Sequence, residues 1–195
     1  MARTKSNDFE NIKEHILVCA TRLFAKKGFS NTNIIEIGQA CQASKSRMYH
    51  YFPSKDSMLE EMLHTHVEDL LNLVSEIANS KGDPKGIFEV FIRTHLEYYF
   101  EHSERHSVMI QDADNLTPQA RKALKGAELK LVDCLSGILQ KLNADRFYDR
   151  DVRFSHAMLI YGMLNWTYTW YKPSDRMSFE KLASEATSLC LNGIL

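Results

Sequence analysis

Residues 44–55, SKSRMYHYFPSK, gather Lys45, Arg47 and Lys55 with two tyrosines and a histidine, and the run is broken at Pro53. A buried helix would not tolerate that polarity, and a merely solvated one has no need of the aromatics. A nucleic-acid duplex uses both. Lysine and arginine neutralise phosphates, an arginine bonds guanine O6 and N7 in a fork, and phenol or imidazole groups reach backbone oxygens. A helix opening at Ser44 would add the amides of Lys45 and Ser46, which carry positive dipole toward a phosphate. The residues expected to touch DNA are Asn33, Ser44, Lys45, Ser46, Arg47, Tyr49, His50, Tyr51 and Lys55.

Charge supports that partner. Net charge over the 195 residues is −1, but residues 1–55 carry nine Lys/Arg against four acids, a net of +5, and the remainder carries −6. A basic head on an acidic body suits a head that meets a polyanion.

Other chemistries find little support. There is no Gly-rich phosphate loop, no G-x-S-x-G elbow and no H-E-x-x-H, so neither an enzyme nor a cofactor is expected. His102 and His106 stand four apart on an expected helix and could chelate a metal with Glu101, and His64 and His66 lie close in sequence. EHSERH reads instead as an exposed helix end and loop, so no metal site is predicted. Cys19, Cys41, Cys134 and Cys190 form no CxxC pair and sit in apolar helical contexts, as reduced packed thiols do. The start, MARTKSNDFEN, lacks the apolar core of a secretory signal. The longest apolar stretch, 157–171, is interrupted by Asn165 and two threonines, too polar for a membrane span. The expected setting is the cytoplasm.

The elements that must hold the 44–55 cluster are helices. Apolar residues recur at three and four almost throughout, which predicts an all-α fold of about nine helices. Ile12, Ile16, Cys19, Ala20, Leu23 and Phe24 form the stripe of a first helix that Gly28 stops. Asn33, three residues before Glu36, is a capping-box start for a short helix through Ala40 or Cys41. Ser44 caps a third helix that runs to Phe52, with Tyr49 and Phe52 expected to face the first helix. A long helix restarts at Ser54 and passes Ile77. After the linker SKGDPKG (80–86) come one helix with Phe91 and Tyr99, a shorter one near Val108, and a long one with Pro118 at its first position. Helices over about 149–171 and from Ser178 onward complete the chain.

Two short helices joined by a tight turn behind a longer one form a helix-turn-helix, whose second helix enters the major groove. The run from Ile34 to Phe52, flanked by AKKGFSNTNIIEI and PSKDSML, resembles the DNA-binding motif of TetR-family transcriptional repressors. The resemblance is tight over about the first 60 residues. It implies a helix-turn-helix domain over 1–55, and an effector-binding and dimerisation domain over 56–195. Gly38 stands where the family usually has Ala, and Gln42 where its turn usually has Gly, so Gln42 is expected to take the turn geometry at some strain. Arg47 replaces a small hydroxyl residue.

The family's C-terminal region dimerises and binds a small effector, and the residues give their own hints of both. The helix over 149–171 is apolar nearly all round, with Leu159, Met163, Trp166 and Trp170 on one side, and so must be covered on every face. The last helix repeats Leu182, Ala186, Leu189 and Gly193, small enough for close helix approach. A homodimer interface is therefore predicted at Trp166, Trp170, Leu182, Ala186 and Leu189. Phe91, His95, Tyr98, Tyr99, Met109, Met158, Tyr161, Asn165 and Tyr168 would line an elongated apolar pocket with a few polar points. The stretch NWTYTWYKPSDRMSFEKLA (165–183) is similar to one in TetR-type regulators that respond to acyl-CoA thioesters, with Arg93, Arg105 and Arg121 as cations for the CoA phosphates. The resemblance implies a repressor released from a palindromic DNA operator by a small hydrophobic effector, an acyl-CoA or a similar acid derivative. The alternatives are a multidrug-type sensor repressor, and a helical ligand-binding or adaptor protein with no DNA role.

Overall fold

The computed structural model describes residues 2–172, 174 and 177–194, with side chains from Phe9 to Gly193. Pro173, Asp175 and Arg176, part of the 165–183 stretch quoted above, lie outside the described residues. Among the described residues there are nine α-helices and no strand beyond an isolated bridge between Ser174 and Met177. They are α1 (Ala2–Lys27), α2 (Ile34–Ala40), α3 (Lys45–Tyr51), α4 (Lys55–Asn79), α5 (Pro84–Glu101), α6 (Ser103–Asp112), α7 (Pro118–Leu142), α8 (Arg150–Trp170) and α9 (Phe179–Ile194), with a 3₁₀ turn at Ala113–Asn115. No described helix is long and apolar enough to cross a membrane.

The helix ends follow local chemistry. Asn33 Oδ1 accepts from the amides of Ile35 and Glu36, and Glu36 reaches back to the Asn33 amide, so the capping box is complete. Gly28, with φ of 82°, closes α1. Ser44 caps α3, Asp83 caps α5 ahead of Pro84, and Asp149 caps α8.

The chain divides into two compact units. The first comprises residues 1–66 and 104–124, and the second residues 67–103 and 125–195. In the first, Ile16, Ala20 and Phe24 of α1 are buried with Ile37 of α2, Met48 of α3, Phe52, and Met58, Leu59, Met62 and Leu63 of α4. Each large apolar side chain so buried contributes roughly 1.5–3 kcal/mol. In the second, α5 packs against both α8 and α9. Its buried stripe, Ile87, Phe88, Phe91, Ile92, His95, Leu96 and Tyr99, faces them at helical spacing.

Three readings of the sequence need correction. Tyr49 does not face α1: it is 47% exposed, while Met48 and Phe52 are each 1% exposed. Residues four apart share a helix face and Met48 sets that face, which turns Tyr49 outward by one step of 100°. EHSERH is not an exposed end and loop, because it contains the start of α6 and His106 is fully buried. His102 and His106 also do not share a helix, since His102 is the C-cap of α5. Among the described residues there is no cluster of three metal-ligating side chains.

Candidate DNA-binding and effector sites

The α2–α3 turn fixes how α3 is presented. The Ala43 amide bonds the Gly38 carbonyl at 2.8 Å and the Gln42 amide bonds the Gln39 carbonyl at 3.3 Å, a Schellman closure with Gln42 at the left-handed position, φ 54°. The expectation that Gln42 takes this geometry is met. Gly38 has its own reason. A Cβ there would lie 3.0 Å from the Ala43 carbonyl oxygen and 3.3 Å from Met48 Cγ, so the bare α-carbon lets the turn and α3 close onto α2. Cys41 Sγ lies 3.6 Å from Met48 Sδ, and burial pushes its thiol up.

With Met48 inward, the face of α3 directed to solvent centres on Ser46 and His50, with Arg47 and Tyr49 on its two flanks. Lys45 is exposed at the first turn. Ser44 Oγ accepts from the Arg47 amide at 3.2 Å, which leaves the amides of Lys45 and Ser46 open at the helix start. Tyr51 is half-buried against Phe9, ring centroids 4.6 Å apart, and His50 meets the same ring edge-on at 5.9 Å. The side chain of Phe9 thus supports the outer face of α3, a contact the sequence reading did not anticipate.

Beside α3 lies a groove of about 420 Å³ lined by Ser30, Thr32, Asn33, Ile34, Tyr49, Pro53, Ser54 and Lys55. It is rich in hydroxyl and amide donors, as a phosphate-contacting edge must be. Asn33 has its oxygen committed to capping, so only its amide nitrogen remains for a ligand. Lys55 Nζ donates to the carbonyls of Phe29 at 2.6 Å and Thr32 at 2.8 Å and sits 4.0 Å from the Phe29 ring centroid. Two of its three N–H donors hold the α1–α2 turn and one is left for a phosphate. Lys27 holds the Glu36 carboxyl below its ordinary value and pairs with it at 2.9 Å.

In the second unit, four of the predicted effector residues form one buried aromatic cluster. His95 lies 4.3 Å from Phe91, 5.2 Å from Tyr161 and 5.8 Å from Tyr99, centroid to centroid. The Tyr161 hydroxyl donates to the Leu131 carbonyl at 3.0 Å, and His95 Nδ1 lies 3.2 Å from the Phe91 carbonyl. Burial pushes the phenols of Tyr99 and Tyr161 well above their usual value. Tyr98 is buried beside His102, while Asn165 and Tyr168 are half-buried on α8. Asn165 Oδ1 is enclosed with no hydrogen-bond partner among the described residues. Met158 is 47% exposed and Met109 belongs to the first unit. Arg93 pairs with Glu180 at 2.6 Å, Arg105 with Glu14, and Arg121 with Asp114 at 3.1 Å.

The predicted interface residues divide. Trp166, Trp170 and Leu189 are 64%, 54% and 68% exposed, and Leu159 on the same helix is 72% exposed. Ala186 is half-buried. Leu182 is buried, on a helix that packs against α5.

Comparison with known proteins agrees with this geometry. Residues 16–62 match the family described as "Bacterial regulatory proteins, tetR family", and residues 81–194 match "Tetracyclin repressor-like, C-terminal domain". The HTH-type transcriptional repressor KstR2 of Rhodococcus jostii (strain RHA1) is 23% identical over 184 residues, covering 93% of this chain and 90% of that protein. The crystal structure of a TetR-family transcriptional regulator from Bordetella parapertussis 12822 is 38% identical with a TM-score of 0.88, covering 94% of this chain and 95% of that one. AibR, crystallised in complex with isovaleryl coenzyme A and operator DNA, shares the fold at a TM-score of 0.80 and 21% identity, over 91% of this chain and 97% of its own. Matched over residues 16–62 and 81–194, the chain belongs to the TetR family of bacterial transcriptional regulators, DNA-binding proteins and not enzymes.

Proposed function

We propose that this ligand-responsive repressor is a cytoplasmic homodimer that holds a palindromic operator and lets it go when an acyl-CoA thioester binds the body. Residues 1–55 read the DNA, and residues 56–195 bind the effector and the second subunit. The outward face of α3 carries the proposal: Ser46 and His50 at its centre, Arg47 and Tyr49 at its flanks, all on a basic head. Arg47 reads a guanine, and the donors along the 420 Å³ groove, with Asn33, Ser44, Lys45 and Lys55, take phosphates. Tyr51 positions α3 through Phe9. A symmetric dimer then prefers half-sites about one helical turn apart, or somewhat more.

The dimer reading is supported by the exposed stripe of Leu159, Trp166 and Trp170 on α8 together with Leu189 on α9. Two tryptophans and two leucines left exposed on α8 and α9 suit surfaces that a second copy of the chain covers. Ala186, small and half-buried, lets the two α9 helices approach. The effector reading is supported by the buried Phe91, His95, Tyr99 and Tyr161 cluster, by Asn165 with its enclosed oxygen, and by the fold shared with a regulator that binds isovaleryl coenzyme A. An acyl chain inserted between α5 and α8 would displace those rings, with Tyr98, Tyr168 and Met158 of the same unit as further contacts. Of the three predicted arginines, Arg93, paired with Glu180 and half exposed, lies in that unit and would meet a CoA phosphate.

Selection from random duplexes should enrich a palindrome, and a thioester that binds the released state better should lower the affinity for it. Enrichment of no palindrome would refute the dimeric operator. Thioesters that change neither DNA binding nor thermal stability would refute the acyl-CoA effector and favour an aromatic or cationic compound instead.

A further inference from the structure

Helix α6 is tied to α1, to α4 and to the turn between α1 and α2. Near its start Arg105 pairs with Glu14 of α1, and Glu104 lies 3.9 Å from Arg22. In its middle His106 packs beside His66 of α4, with 3.5 Å between His66 Nε2 and His106 Nδ1. At its end Asp112, 7% exposed, accepts a hydrogen bond from the Phe29 amide at 3.1 Å, a contact that spans 83 residues of sequence. The other Asp112 oxygen takes a hydrogen bond from Asn115 Nδ2 at 3.2 Å. Phe29 is thus held twice: Asp112 takes its amide, and Lys55 donates to its carbonyl at 2.6 Å.

This doubly held residue begins the turn that leads through Ser30 and Thr32 to the Asn33 cap of α2, and those residues form one wall of the phosphate-facing groove. Burying a carboxylate is unfavourable unless its oxygens are satisfied, and an apolar residue would fill the space at no such cost. A charged acceptor gives a stronger and more directional hold on a backbone amide than a neutral one.

We propose that Asp112 is a positioning residue for operator binding: it fixes the α1–α2 turn from α6, and so sets the groove wall and the Lys55 ammonium against the DNA backbone. It touches no DNA itself. The arrangement makes α6 a second handle on the reading head, apart from the helix-turn-helix. The proposal rests on the operator-binding reading.

The test compares the full-length Asp112→Ala and Asp112→Asn variants with Val108→Ala, a fully buried core position on the same helix. Operator affinity and its salt dependence are measured by fluorescence anisotropy well below each thermal midpoint, where all chains are folded. D112A should bind about tenfold more weakly, with a shallower salt slope as phosphate contacts are lost. D112N, which keeps an acceptor oxygen, should stay within about threefold of the parent. V108A should lose stability yet bind within about twofold. Should D112A fail to fold, Asp112→Ser replaces it. Parental affinity and salt slope in D112A, or an equal loss in V108A, would overturn the proposal while leaving operator binding intact. A parent chain that binds no duplex would overturn the operator reading itself.

Discussion

Replacing Gln42 by glycine should stabilise the protein. Gln42 occupies the left-handed region at φ 54°, where an L-residue costs roughly 1–2 kcal/mol because its Cβ crowds the following carbonyl. Glycine escapes that cost but loses more chain entropy on folding, by about 0.5–1 kcal/mol. The difference favours Gln42→Gly by about 0.5–1 kcal/mol. The Gln42 side chain is exposed, and among the described residues no hydrogen bond of its own sets against that gain. For a chain of this size about 1 kcal/mol moves the thermal midpoint by roughly 2–4 °C. Urea unfolding of the parent, Gln42→Gly and Gln42→Ala measures it at fixed protein concentration. Alanine keeps the Cβ, so Q42A should stay within about 0.5 kcal/mol of the parent. Operator affinity should hardly change, since the Schellman bonds and the Met48 contact remain. If Q42A stabilises as much as Q42G, or if Q42G gains nothing, backbone strain at this turn is the wrong account.

Four further outcomes are expected. Arg47→Ala should relax base preference at one position of the operator and cost about 1–3 kcal/mol there, read by selection and binding assays. Lys55→Ala should weaken all duplexes alike, and it should also lower unfolding stability by about 1–3 kcal/mol, because the Phe29 and Thr32 carbonyls lose their donor; an unchanged urea midpoint would argue against that role. If the proposed dimer forms through α8 and α9, Ala186→Arg should place like charges across its two-fold axis and give monomers in sedimentation that bind DNA poorly, whereas an unchanged dimer would move the interface elsewhere. Long-chain or aryl acyl-CoA should release the operator at micromolar levels while free CoA does not, and Tyr161→Ala or Tyr168→Ala should blunt that response with operator affinity near normal.

The helices were legible because their ends are written locally. Asn33 with Glu36, Ser44, Asp83 with Pro84, and Asp149 each satisfy amides within three residues, so a short window of sequence suffices. The exposed cluster of cations and aromatics was legible for a related reason: it sits on one seven-residue helix and its flanks. What escaped notice depends on contacts between distant segments. Nothing near Lys55 says that two carbonyls from the α1–α2 turn will claim its ammonium. His106 looks polar and solvated until His66, 40 residues earlier, is found against it. The break at His102 carries no proline or glycine, and the hold of Asp112 on Phe29 has no local signature at all.

Gly38 and Gln42 depart from the family pattern in opposite senses, and the geometry makes each intelligible. The turn needs a left-handed residue and also needs α2 and α3 to close tightly. A glycine at 42 would meet the first need, and a small residue at 38 the second. Here the small residue is reduced to a bare α-carbon, which lets Met48 fill the space beneath the turn, with its Sδ 3.6 Å from Cys41 Sγ. The buried Met48 and Cys41 bind α3 to α2, and the Ala43 amide on the Gly38 carbonyl closes the loop at 2.8 Å. The packing beneath the turn, not the residue at its apex, therefore fixes its shape. An exposed Gln42 can then be carried in a strained conformation, because the buried Met48 and Cys41 hold α2 and α3 together beneath it. The angle between α2 and α3 is on this account set by sulfur packing beneath the turn, and the turn residue follows it.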